Sequence, residues 1–177
     1  MHLRLKRTPG IYMVGFMASG KSTVGRALAH HMGWDFFDCY SEIEAAERTS
    51  IADIFDTRGE PEFRRIEADI LARHVRAIER GRPAVLALGG GAFVSPANRR
   101  LVMSNGVAVW LDCPWDIVER RVGLQSHRPL ARDPGHLRKL FDERRALSAL
   151  ADVHVPVCGD DPAAAVETIL AHPIFKK

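Results

Sequence analysis

The nine residues GFMASGKST, Gly15 to Thr23, constrain this chain more than any other stretch. They match the pattern G-x-x-x-x-G-K-[ST] in full. A short β-favouring run, Ile11 to Val14, precedes them, and helical periodicity follows from about Lys21 to Met32. Glycines permit backbone angles that aim successive N–H groups at one point, and a helix N-terminus adds the positive end of its dipole. Lys21 adds a point charge, and the Ser22 hydroxyl is a ligand for Mg²⁺, so the loop reads as a phosphate cradle. The expected contacts to the nucleotide are Gly15, Ala18, Ser19, Gly20, Lys21, Ser22 and Thr23. A glycine-rich turn that binds nothing is the alternative, and the strand before and helix after the loop argue against it.

The remaining pattern says where such a loop sits. Strands are expected at Trp34 to Phe37, Ala84 to Leu88, Val107 to Leu111 and Val153 to Val157. Between them lie helical segments. One is capped at Ser41 with Glu44 three residues on, and a short one at Ser50 with Asp53. A long one carries Phe63, Ile66, Ile70, Leu71, Val75 and Ile78 on one face and stops near Gly81. Further helices begin at about Pro114, end at about Ala151, and start again at Pro162. Strands alternating with helices predict an α/β domain with a parallel sheet and right-handed crossovers. Ligands then bind at the carboxyl ends of the strands. The loop at Gly15, the acid Asp38 and the triple glycine Gly89, Gly90, Gly91 all follow strands, so they should converge on one edge.

The loop alone does not name a reaction. No Asn-Lys-x-Asp tetrapeptide is present to read guanine, and the strand AVLAL runs into glycines rather than into an acid. Asp38 is therefore the natural second partner for the ion; a turn-forming or solvated strand-end acid is its plainer reading.

Bulk composition narrows the class. The chain's 177 residues suit one domain, and a formal net charge of +3 with scattered basic residues gives no nucleic-acid stripe. Three cysteines without metal-like spacing fit a reducing cytoplasm. MHLRLKRTPG is basic but leads into no apolar core, so it does not read as a secretory signal. No run approaches the ~20 apolar residues of a membrane helix. A cytoplasmic monomer with no membrane or nucleic-acid partner is the expectation.

The blocks GFMASGKSTVGRALA, FFDCYSEIE, SIADIF, GEPEFRRIE, LGGGA, HRPL and RRALSALAD, in this order, resemble the shikimate kinase family over nearly the whole chain. The resemblance implies a single P-loop kinase domain over residues 1–177. It would have three α/β/α layers, a central five-stranded parallel sheet, substrate-binding helices at about 41–80 and a mobile lid at about 124–134. It implies ATP and Mg²⁺ as cofactors and phosphoryl transfer to a hydroxyl of shikimate, a small acidic polyol, as in aromatic amino-acid biosynthesis. Lys21 would contact the β/γ-phosphates, Ser22 would ligate Mg²⁺ and Asp38 would hold it through water. Arg64 would grip the substrate carboxylate, the triple glycine would admit the substrate close to the backbone, and Arg128 would neutralise the transferring phosphate. Arg121 and Pro162 would flank adenine, while Phe55, Phe63, Glu67 and Leu130 would shape the acceptor pocket.

Two departures stand out. The family's second carboxylate arginine lies in R-x-P-L-Y. In RRALSALAD that role falls to Arg144 if Ser148 takes the tyrosine's place, or to Arg145 if the helix is rotated. The family's D-x-D becomes Asp38-Cys39-Tyr40, so Tyr40 stands where a substrate-facing carboxylate is expected. A phenol with a pKa near 10 donates readily and accepts poorly at neutral pH. Tyr40 could instead turn away and pack. Two other readings therefore stay open: a kinase for another small polyol or cyclitol acid, and a nucleotide-binding homologue with an impaired acceptor site.

Overall fold

The computed structural model describes residues 10–124 and 133–176. Five strands form one sheet: β1 (Gly10–Val14), β2 (Asp35–Asp38), β3 (Ala84–Ala87), β4 (Val107–Asp112) and β5 (Val153–Pro156). Their order is β2-β3-β1-β4-β5 and every pairing is parallel. The chain winds to one side of β1 for β2 and β3, then to the other for β4 and β5. The switch point, and hence the ligand crevice, falls at the carboxyl end of β1. The three inner strands are buried almost throughout, as continuous apolar runs covered on both faces must be. The outer strand β5 alternates buried and exposed residues and carries Pro156, tolerated at an edge where no N–H is needed.

The helices are α1 (Lys21–Met32), α2 (Cys39–Glu47), α3 (Ile51–Arg58), α4 (Glu60–Glu79), α5 (Pro96–Ser104), α6 (Trp115–Gly123), α7 (Pro134–Ser148) and α8 (Pro162–Ala171). Side chains alternate across β1, so Ile11 and Met13 pack with Leu28 and Ile169 on one face. Tyr12 and Val14 pack with Leu71, Val75, Ile78 and Val102 on the other. A third cluster joins α2, α3 and α4 through Ile43, Ile54, Phe63 and Ile66.

Several boundaries differ from those expected. α2 starts at Cys39, not Ser41, because Asp38 is its N-cap: Oδ1 accepts from Tyr40 N at 2.9 Å and Ser41 N at 3.2 Å. Glu44 does not close a capping box there; it accepts from Ile51 N, at the start of α3. The Ser50 cap is present, accepting from Asp53 N at 3.1 Å. β2 runs one residue later than expected, and α5 with the 3₁₀ turn before it, Ala92–Val94, adds to the expected elements. Arg128, Leu130, the HRPL segment, most of the expected lid and the basic N-terminus lie outside the described residues.

Candidate functional site

The phosphate loop leaves β1 through Gly15, whose φ of +153° suits glycine; a Cβ there would stand 2.8 Å from Leu111 O. Gly20 caps α1 in the left-handed region (φ 96°, ψ 17°), turning the first helical N–H groups into the loop. Lys21 Nζ reaches back across the hollow and donates to Gly15 O at 2.8 Å and Phe16 O at 2.9 Å. Those carbonyls hold the ammonium against the loop.

Asp38 sits opposite this loop. One carboxylate oxygen caps α2, and the other, Oδ2, accepts a hydrogen bond from the Ser22 hydroxyl. The acid is therefore both a local cap and a partner of the loop. A hydroxyl and a carboxylate side by side are hard oxygen donors of the kind Mg²⁺ uses together with phosphate oxygens and water. No group of three or more His, Cys, Asp or Glu suited to a metal occurs among the described residues. The Ser22–Asp38 pair thus fits an ion whose remaining ligands come from nucleotide and solvent.

The far end of the same cavity, about 680 Å³, is lined by Arg121, Val157, Gly159, Asp160, Asp161, Pro162 and Ala165. Arg121 is not a solvated helix residue. It donates to Ala18 O at 2.9 Å and to Asp160 Oδ1 at 2.6 Å, tying the phosphate loop to the turn after β5. The hydrogen bond from Arg121, together with its charge, lowers the Asp160 carboxyl below its ordinary range. Residues 159–161 are not among the sequence-based candidates. Their one signal is Asp161 before Pro162, an N-cap followed by proline at the first helical position.

The triple glycine joins the two halves of the site. A Cβ on Gly90 would stand 3.2 Å from Met17 N of the phosphate loop. One on Gly91 would press on the Arg64 guanidinium, 2.7 Å from its central carbon, and stand 2.8 Å from an Arg144 nitrogen. One on Gly89 would overlap the Tyr40 ring and stand 2.7 Å from Glu67 Oε2. Two guanidiniums from α4 and α7 thus meet at one glycine, with Glu67 and Tyr40 meeting at Gly89.

Arg64 donates to Glu67 Oε1 at 2.8 Å and to Glu60 at 3.3 Å. Burial, the largest single influence, would depress its pKa, but the Glu67 charge and hydrogen bond, with smaller contributions from Tyr40 and Glu60, together raise it. Arg144 is only 8% exposed, and burial, then the neighbouring Arg64 charge, pushes its pKa down. The two cations stand together with Glu67 as their one buried carboxylate and Glu60 half-exposed on Arg64, an arrangement whose like-charge repulsion an anionic ligand would relieve. Arg145 is directed elsewhere: it pairs with Asp112 through bonds of 2.5 and 3.0 Å, and His154 shares that carboxylate. Of the two candidate arginines, Arg144 is the one at the glycines.

Tyr40 does not turn away. It lines the cavity with Ser41, Ser50, Ile51, Ala52 and Phe55, and meets Phe63 edge-on at 5.8 Å. Phe63 itself is fully buried against Phe55 and Tyr40 and does not line the cavity. Arg64, Glu67 and Arg144 are likewise absent from the lining, while the Tyr40 ring, which does line it, comes close to Glu67 at Gly89.

A family model described as shikimate kinase matches residues 17–172. The chain is 44% identical over 155 residues to a shikimate kinase of Cereibacter sphaeroides, covering 86% of this chain and 75% of that one. It is 43% identical over 148 residues to the shikimate kinase of Ruegeria pomeroyi, covering 82% and 74%. Among solved structures, the shikimate kinase from Acinetobacter baumannii in complex with shikimate superposes with a TM-score of 0.86 at 31% identity, covering 96% of this chain and 95% of that one. The Aquifex aeolicus shikimate kinase gives 0.78 at 31% identity, covering 91% and 93%.

Proposed function

The chain belongs to the shikimate kinase family, and from that premise we propose how its residues carry out ATP-dependent phosphorylation of a shikimate hydroxyl. One juxtaposition carries the assignment of roles. Gly90 abuts the phosphate loop at Met17 while Gly91 abuts Arg64 and Arg144, so a phosphate cradle and an anion pocket share one short turn.

Phosphoryl transfer is mostly positioning and neutralisation of charge. Lys21 and the loop N–H groups take the β- and γ-phosphates, and Lys21 exchanges its carbonyl acceptors for phosphate oxygens. Ser22 and Asp38 would hold Mg²⁺, which would supply neutralisation of charge on the phosphates. Arg121 and Pro162 hold the base end, with Gly159 to Asp161 as its rim. Arg64 and Arg144 present their planar forks to the substrate carboxylate, the match that favours arginine over lysine. Arg128, by family resemblance, serves the transferred phosphate. We propose a single-domain monomer working in a reducing cytoplasm, which its three free cysteines support.

The test is ATP consumption with and without shikimate, measured on the natural chain, Tyr40→Asp and Lys21→Ala. Shikimate-dependent turnover is expected in the natural chain, falling by about 10²-fold or more in Lys21→Ala with unchanged melting. Absence of such turnover in both the natural chain and Tyr40→Asp would refute the acceptor. Full activity in Lys21→Ala would remove the phosphate-loop roles.

A further inference from the structure

Transfer of a phosphoryl group to a hydroxyl releases a proton. The acceptor oxygen forms a bond to phosphorus, the bond from phosphorus to the ADP oxygen breaks with its electron pair, and the O–H proton must be taken up. At position 40 this chain has a phenol, a poor acceptor at neutral pH. The nearby carboxylates are few. Both oxygens of Asp38 are committed, one to the α2 cap and one to Ser22. Glu44 accepts from Ile51 N, and Glu60 lies half-exposed on the outer side of Arg64.

Glu67 differs from all of these. It is 2% exposed, its Oε1 accepts from Arg64, and its Oε2 is buried with no hydrogen-bond partner among the described residues. That oxygen lies 2.7 Å from where a Cβ on Gly89 would stand, against the Tyr40 ring. Gly89 lines the cavity, and its neighbour Gly90 touches the phosphate loop. A buried acceptor atom left unsatisfied is costly in a folded protein and marks a place where a donor is expected.

Resting on the phosphotransfer reading above, we infer that Glu67 Oε2 accepts the proton of the acceptor hydroxyl in this chain. The proton leaves the attacking oxygen as it bonds to phosphorus, and Glu67 becomes the neutral acid until product release returns the proton to solvent. Arg64 fixes the carboxylate through Oε1 and leaves Oε2 for the substrate. The Tyr40 ring lies near the same oxygen at Gly89, a residue that lines the cavity.

The groups facing Glu67 set its basicity. Burial raises its pKa above the ordinary carboxylate range; Arg64 on its own helix and Arg144 from α7 oppose this, and Glu60 adds to it. From α2, Cys39 and Tyr40 face it, and burial holds the Cys39 thiol far up. A raised carboxylate is better matched to neutral pH as a base than an ordinary one.

The experiment compares pH profiles of kcat and kcat/KM for the natural chain, Glu67→Gln, Glu67→Asp and Tyr40→Asp/Glu67→Gln, with thermal melting as the fold control. Glutamine keeps an oxygen for Arg64 but cannot take a proton. Glu67→Gln is expected to lose about 10²-fold in kcat, to change KM for ATP by less than about twofold, and to lose the acidic limb of the profile. Glu67→Asp is expected to keep that limb at reduced kcat. The double variant is expected to regain at least about tenfold in kcat, with the limb moved toward the ordinary carboxylate range. A Glu67→Gln enzyme with the limb intact, or with its loss confined to KM for the acid, would overturn the assignment. Shikimate-dependent turnover in Tyr40→Asp but not in the natural chain would overturn this inference alone, whereas its absence from both would overturn the phosphotransfer reading itself.

Discussion

Replacing Gly91 by alanine isolates the anion pocket from the rest of the site. Gly91 has φ −106° and ψ −4°, backbone angles that alanine adopts without strain. The added methyl meets only side-chain ends: the central guanidinium carbon of Arg64 at 2.7 Å and a nitrogen of Arg144 at 2.8 Å. Non-bonded heavy atoms settle at about 3.5 Å, so each guanidinium must withdraw by roughly 1 Å. Guanidinium tips can do so at little cost to folding, and melting should shift little. Binding is less forgiving, because Arg64 is tethered to Glu67 and Arg144 is buried. A hydrogen bond to a charged group is worth about 1.5–3 kcal/mol, so losing the equivalent of one raises KM for shikimate roughly 10- to 150-fold. KM for ATP should stay within about twofold, since it is Gly90, not Gly91, that touches the phosphate loop. The assay is coupled ADP release, with each substrate varied at saturation of the other. A shikimate KM within about threefold of the natural chain, or equal rises for both substrates, would refute the idea that two guanidiniums converge on this glycine to bind the acid.

The two adjacent arginines of α7 should separate cleanly. Arg144→Ala is expected to raise KM for shikimate at least about tenfold with KM for ATP unchanged, whereas Arg145→Ala should lose less than about 1 kcal/mol of stability with kinetics intact. Equal kinetic effects would contradict the placement of Arg145 on Asp112. Tyr40→Ala removes a ring that lines the cavity beside Gly89, so stopped-flow binding of shikimate should speed up by about tenfold or more, at some loss of melting temperature. An unchanged association rate would mean the ring is no barrier.

Much of the fold is legible in the sequence because its signals are local. The loop pattern, the apolar runs and the Ser50 cap depend on residues within one turn of each other, and the parallel sheet follows from their alternation. α5 escapes such a reading because the large apolar residues of PANRRLVMS, Leu101 to Met103, fall in one short run; Ser95 as N-cap and Pro96 at the first helical position are the available signals. At α2 the local pattern points to Ser41 as the cap, with Glu44 to close a box, whereas in space Asp38 caps the helix. Glu44 accepts instead from Ile51 N at the start of α3, a contact between elements that no local pattern records.

The acceptor half of the site fails to read from sequence for the same physical reason. Arg144 and Arg145 are neighbours on a helix, about 100° apart around its axis, and only the packing of α7 beside β4 turns one to Asp112 and the other to the glycines. Glu67 is harder still. Three residues beyond Arg64 on a helix, it reads as half of an ordinary i,i+3 pair, and one of its oxygens behaves so. The other oxygen acquires meaning only when β3 brings Gly89 against it and α2 brings Tyr40 alongside. Along the chain, Tyr40 is the loss of a carboxylate. In space, it lies beside a different carboxylate, buried and half-satisfied, at the turn that joins the anion pocket to the phosphate cradle. Taken at its own position, the tyrosine removes a base from the site. Taken with its neighbours, it leaves a second oxygen to receive the proton, within reach of the same glycine.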